Sequence, residues 1–306
     1  MQRWFTNTIV AVLSVMLLIS FGCKKSAPAK KPVLQPLQAL VNTDTTLVLY
    51  HRLILRANDA ALLNDAAVTV LFLRNSVLLQ AGYGEIAIDS MSANLADRIV
   101  RYNYLPTGIS TDSAGYTPNP TLLGVPLYVQ KNGSDQYFLN GSVTVPNQPT
   151  QVGKAIVYYP DSLVPPAADS LSEIVQSDST LTYMSEVLNR TNLYDSVLVT
   201  GNYTLLAPSN TAFQQAGWDS LGAIDSAGID TLLQLALNQV VKGNYFTNDF
   251  PPTLTTLAGG GVTVNVVNGF LQFSTSGNAT PVHWTSGNQV AGPTLIMHRT
   301  DGVLLK

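Results

Sequence analysis

Charge is scarce in this sequence. Lysine, arginine, aspartate and glutamate together make up 11% of its 306 residues. The balance is 16 basic against 19 acidic residues, a formal net charge of −3. A protein that grips nucleic acid needs a clustered basic face, so no nucleic-acid partner is expected. Cysteine is almost absent. The one copy, Cys23, excludes an intrachain disulfide and any cysteine-held metal cluster. Three histidines, His51, His283 and His298, leave few groups for metal binding or acid–base work. The G-x-S-x-G, H-E-x-x-H and phosphate-loop patterns are missing. Asp219, Asp225 and Asp230 lack the alternating spacing and the glycine of a calcium loop. They read as helix caps and solvated loop residues. No catalytic, cofactor-binding or metal-binding residue is expected.

What is present is apolar material, 46% of the chain, enough for real cores. The length allows two domains. Arg3 precedes an apolar run, Ile9 to Phe21, that falls short of the roughly 20 residues needed to span a bilayer. Gly22 and Cys23 close it. This segment resembles a bacterial lipoprotein signal, although Ser20 and Phe21 stand where the usual lipobox has Leu and a small residue. The resemblance implies a signal peptide over residues 1–22 and lipidation of Cys23. Residues 23–36 carry four lysines and three prolines without apolar periodicity and read as a flexible tether.

The most informative stretch runs from Tyr203 to Gly217. Tyr203 to Ala207 is a short apolar run suited to a buried strand. Pro208 has no N–H for a ladder and ends it. Ser209, Asn210 and Thr211 offer oxygens to the free N–H groups of a helix, and Thr211 with Gln214 has capping-box spacing. Gly217 is placed to stop that helix. The stretch resembles the fasciclin (FAS1) signature T-[VL]-[FL]-A-P-[TS]-N-x-A-F at every defined position, including Thr204, Pro208, Ser209, Asn210 and Phe213. FAS1 domains close on a His and an Asp, which His298 and Asp301 match.

The first half repeats this plan. Asp44 to Leu47 reappears as Asp178 to Leu181, Thr69 to Leu71 as Thr204 to Leu206, and Gln80 to Tyr83 as Gln215 to Trp218. Asn75 falls opposite Asn210, while Leu73 and Arg74 replace the Pro and Ser. The family's central Tyr-His pair is reduced to Tyr102-Asn103 in one copy and Asn238-Gln239 in the other, so the adhesion tied to that region in some animal members is not carried over. Asn132-Gly133, Asn140-Gly141 and Asn268-Gly269 lie between β-rich runs and read as hairpin turns.

The expected fold is α+β: two tandem FAS1-like domains, each a β-sandwich or wedge with a group of helices. The expected bounds are residues 37–166 for a diverged copy and 169–306 for the second. His298 and Asp301 admit a catalytic or metal pair, but the family position implies a buried His and Asp bonding backbone. His283 beside Trp284 offers either a stacking surface for sugar or an ordinary piece of strand. The resemblance implies a non-enzymatic adhesion or binding lipoprotein of the cell envelope, anchored by lipid to the outer membrane, with an envelope or extracellular protein or glycan as partner. The alternative is a carbohydrate- or matrix-binding accessory lipoprotein of a nutrient-uptake system.

Overall fold

The computed structural model describes residues 37–64, 68–112, 115–194 and 196–306. The expected signal peptide, tether and Cys23 lie outside the described residues. In the first half the order is α1 (Leu37–Thr43), α2 (Val48–Arg56), β1 (Thr69–Leu71), α3 (Asn75–Gln80), α4 (Glu85–Ser90), α5 (Ala93–Tyr102), then β2 (Tyr104–Leu105), β3 (Thr117–Asn119), β4 (Leu127–Lys131), β5 (Tyr137–Leu139), β6 (Val143–Val145), β7 (Thr150–Val152) and β8 (Ala155–Tyr158). The second half gives α6 (Leu171–Ser177), α7 (Thr182–Arg190), α8 (Val197–Thr200), β9 (Tyr203–Pro208), α9 (Asn210–Gln215), α10 (Leu221–Ser226), α11 (Ile229–Asn238), then β10 (Val240–Lys242), β11 (Thr253–Thr255), β12 (Gly261–Val267), β13 (Phe270–Ser274), β14 (Val282–Ala291) and β15 (Leu295–Thr300). Helices come early and strands late in both halves, an α+β architecture.

Local chemistry explains why the halves agree. Asp44 Oδ1 accepts from Thr46 N and Asp178 Oδ1 from Thr180 N, both at 2.8 Å. Each carboxylate caps a short 3-10 turn that feeds α2 or α7. Gly82 and Gly217, with φ of +83° and +90°, close α3 and α9. Tyr83 N then bonds Leu78 O, and Trp218 N bonds Phe213 O. These bonds satisfy carbonyls left free at a helix end, in a conformation glycine adopts without strain.

The sheets share a centre and differ at the rim. β1 lies between antiparallel β2 and parallel β8, with Leu71 opposite Tyr158. β9 lies between antiparallel β10 and parallel β15, with Leu206 opposite His298. In the second half β14 pairs with both β13 and β15, through register shifts between Trp284 and Gln289, and links seven strands in one order. In the first half the corresponding strand is broken into β6 and β7, leaving two four-stranded sheets. Pro146 and Pro149 lie in the break, where neither can donate to a ladder.

Two of the Asn-Gly pairs make tight turns. Asn268 and Gly269 have φ of 53° and 84°, and Asn140 and Gly141 of 44° and 74°. Asn132-Gly133 does not. Asn132 Oδ1 accepts from Ser134 N and Gln136 N, each at 3.0 Å, so the loop runs on to Gln136. The side chain replaces the two-residue turn with an Asx turn.

Each half has a helical core of its own, and a third core belongs to both. It contains Leu71, Tyr102, Leu127, Val129 and Leu139 from the first half with Phe246, Val290 and Ile296 from the second. Phe246 is fully buried, its ring 4.5 Å from that of Tyr116 and 5.4 Å from that of Tyr128. A Cβ on Gly141 would fall 2.4 Å from Phe246 Cβ, so glycine is required there. Hydrogen bonds tie the rim. Tyr128 Oη donates to Pro293 O at 3.1 Å and accepts from Asn244 Nδ2 at 2.7 Å. Arg98 reaches Asp169 Oδ2 at 2.7 Å and Ala167 O at 2.5 Å.

Candidate functional site

The polar signature residues of the second half hold backbone, and the apolar ones fill strand and core. Thr204 is fully buried; its hydroxyl donates to Gly243 O at 2.7 Å and accepts from Tyr245 N at 2.9 Å. Pro208 is the last residue of β9, in register with Thr300. Ser209 is the N-cap of α9 and accepts from Ala212 N at 3.2 Å. The expected capping box of Thr211 and Gln214 is therefore absent, because the helix starts two residues earlier. Phe213 packs in the helical core with its ring 5.9 Å from that of Tyr183.

Asn210 reaches out of its own helix. Its Oδ1 accepts from Tyr183 N at 3.0 Å, a free donor in the first turn of α7, and its Nδ2 donates to Ser179 O at 2.9 Å. Asn75 does the same to Leu49 N and Thr45 O, each at 2.9 Å.

His298 is fully buried. Nε2 donates to Tyr245 O at 2.8 Å, while Nδ1 accepts from Trp284 Nε1 at 3.1 Å and Asn288 N at 3.3 Å. Two donors on Nδ1 fix the neutral Nε2–H tautomer. Burial lowers its pKa to about 4, only partly offset by the Tyr245 carbonyl. With both nitrogens occupied, the ring has no lone pair or proton to spare for a substrate. Backbone crowds it too: a Cβ on Gly287 would lie 2.3 Å from Nδ1.

Asp301 does not meet His298. Its Oδ1 accepts from His283 N at 2.7 Å, and its Oδ2 lies 2.9 Å from His283 Nδ1. Asp161 grips Thr144 in the same way, through the amide N at 3.0 Å and the hydroxyl. Of the two alternatives for His283 and Trp284, the structure shows the ordinary piece of strand and not one stacking surface. Adjacent residues of a strand face opposite ways, and the Trp284 indole points inward to His298.

One feature escaped the sequence reading. Arg299 donates to Asp178 Oδ2 from Nε at 2.8 Å and from Nη2 at 2.6 Å. Burial resists ionisation of Asp178, but the Thr180 hydroxyl and amide and the Arg299 guanidinium outweigh it and keep the pKa below the usual carboxylate value. Gln239, also fully buried, clamps the end of the fold: its Oε1 accepts from Leu304 N and its Nε2 donates to Leu304 O, each at 2.9 Å. Its counterpart Asn103 is a methylene shorter and bonds only Ile99 O. Replacement of the family's histidine by an amide was the one signal that pointed to these two positions.

A cleft of about 260 Å³ opens beside the Asp301–His283 pair, lined also by Gln215, Asn278 and Thr280. Among the described residues no three His, Cys, Asp or Glu side chains gather as a metal group. Among them, too, no helix is long and apolar enough to cross a membrane.

A search of curated proteins gives no match. Among solved structures, the chain is similar to a FAS1 domain pair from the insect cell adhesion molecule fasciclin I, at 15% identity and a TM-score of 0.40, covering 85% of this chain and 97% of that one. The model of the family described as "Fasciclin domain" matches residues 179–306. Over these residues the chain is similar to a fasciclin domain.

Proposed function

We propose that this protein is an adhesion or binding lipoprotein, held to the outer membrane through Cys23 and built from two fasciclin domains, residues 37–166 and 169–306, the first of them diverged. The observation that carries this reading is a difference between equivalent helices. α2 exposes Val48 and Leu55, α3 exposes Leu79, and α4 exposes Ile86, the last at 86%. The matching positions on α7, α9 and α10 are Thr182, Asn189, Gln214 and Gly222, all exposed as well. Ile88 and Ile224, both fully buried, fix the match of α4 to α10. The second half is thus an internal control: it builds the same layer without apolar side chains at these places. It exposes Leu221 and Ile229 instead, where the first half has Glu85 and Ala93. Solvent-facing apolar groups that packing does not require fit a protein partner.

The test uses the full chain in its native envelope. Leu55→Asn with Leu79→Gln, residues borrowed from the second half, is expected to abolish cross-linking of one defined partner from a photoreactive group at Ile86, with melting unchanged. Cys23→Ser is expected to lose fatty-acid labelling and leave the membrane fraction. Full cross-linking by the double variant sinks the adhesion face, and unchanged labelling sinks the anchor.

A further inference from the structure

Between Asp249 and Arg299 the chain contains no Asp, Glu, Lys or Arg. That stretch builds β11 to β14 entire. Its inward side chains, among them Val262, Val264, Leu271 and Phe273, form a core. Its outward side chains stand in rows set by strand register. Thr253, Thr263 and Ser274 make one row. Asn265, Gln272 and His283 make the next. Val267 and Phe270 make the third, 42% and 58% exposed, at the hairpin tip. The middle row runs on to Asp301, which holds His283 at 2.9 Å where the cleft opens.

The fold does not demand this neutrality. The β4–β5 hairpin of the first half carries Lys131, at the end of β4, and Asp135 in its loop, paired at 2.9 Å. The four strands carry no charge with which to draw in a polyanion, and the one carboxylate near them, Asp301, is already paired with His283. What it presents is hydroxyls and amides that both donate and accept, beside one aromatic ring. Neighbouring strands lie about 4.8 Å apart, so each row repeats its groups on the scale of one sugar ring. A pyranose has the complementary build: an apolar ring face and a rim of hydroxyls. At the end of the row the Asp301 carboxylate accepts hydroxyl hydrogens and repels acidic sugars.

We propose that the outward face of β11 to β14, with the cleft at His283 and Asp301, binds an uncharged glycan chain. This goes beyond the adhesion reading and uses a different face. The full chain is run by electrophoresis through gels containing a β-1,4-glucan, a β-1,3-glucan, an α-1,4-glucan, a mannan or a xylan, with polygalacturonate and heparin as acidic comparators. At least one neutral polymer is expected to retard it, with little change up to about 0.5 M salt. Gln272→Ala and Phe270→Ser are each expected to weaken that retardation about tenfold, the loss of one good contact, with melting unchanged. The proposal is overturned if no neutral polymer retards the chain, if both variants bind as before, or if only the acidic polymers bind. Partner cross-linking from Ile86 is read separately, so a failure here leaves the adhesion reading standing, and the converse also holds.

Discussion

Two titrating residues fix the segment that carries Phe246, and they respond to acid in opposite directions. His298 donates to Tyr245 O, and Asp249 Oδ1 accepts from Phe246 N at 2.6 Å. The His298 pKa falls to about 4 in the fold against 6.5 for the free group. As pH drops from 6.5 to 4, the unfolded chain takes up a proton that the folded ring refuses, so stability is lost, by about 3 kcal/mol at the lower end. Burial raises Asp249 from 3.8 to about 6, against the pull of its backbone donors. There the folded state takes the proton first, and stability rises as pH falls from 6 to 4. Asp249→Asn keeps an acceptor for Phe246 N but removes the opposing titration. Urea melts between pH 4 and 6 are expected to fall more steeply for Asp249→Asn than for the native chain; equal slopes would refute the assignment. Asn210→Ala orphans Tyr183 N and Ser179 O and is expected to cost about 1–3 kcal/mol in a denaturant melt. That the Asn210 oxygen would meet a free helix N–H was legible in the sequence; that the helix is α7 and not its own was not. The union of His283 with Asp301 was not, since only strand register brings the two together.

Whole elements were legible where a local signal sets them. Asn268-Gly269 makes a hairpin whatever surrounds it, because both residues accept positive φ. β14 was not legible. Its irregular stretch between Trp284 and Gln289 has no marker apart from Gly287, and what selects glycine there is His298 on the neighbouring strand. Gly287→Ala pushes a methyl into the imidazole and is expected to cost about 1–3 kcal/mol, as overpacking does. A melt within a few tenths of the native value would show that β14 yields more easily than its contacts imply. The drifted signature of the first half has an element-level explanation. Arg74, at the place of Ser209, lays its guanidinium 4.7 Å from the centre of the Tyr159 ring, and Tyr159 stands at the place of Arg299. The positive charge near the capping aspartate has moved from the strand to the loop before the helix.

At the scale of the molecule, the seam decides behaviour. Phe246 comes from one half and is enclosed by Tyr116, Tyr128 and Gly141 of the other. The backbone joins in, with Ala168 N bonding Val290 O and Gly292 N bonding Ala168 O. Phe246→Ala removes the ring from a shared core, a change that typically costs about 3–5 kcal/mol. Calorimetry is expected to show one transition for the native chain and two for the variant, as each half comes to rely on its own helical core. A single unsplit transition in the variant would mean that the rim bonds suffice for coupling. The sequence announced two copies but not this dependence, because a Phe in a loop gives no hint of what encloses it.

The placement of β9 also bears on the order of events in folding. Its register partner on one side is β10, close by in the chain; on the other it is β15, where Tyr203 meets Leu295. The central strand of the sheet therefore waits for the last one to arrive, and β1 waits likewise for β8. Closing so long a loop is slow, because its entropy is lost before any contact repays it. Until then an apolar strand has one edge bare, open to the same edge of another chain. The interval before β15 docks is when this protein is most exposed to aggregation, and a chaperone that shields β9 over that interval would shorten no step yet would raise the yield.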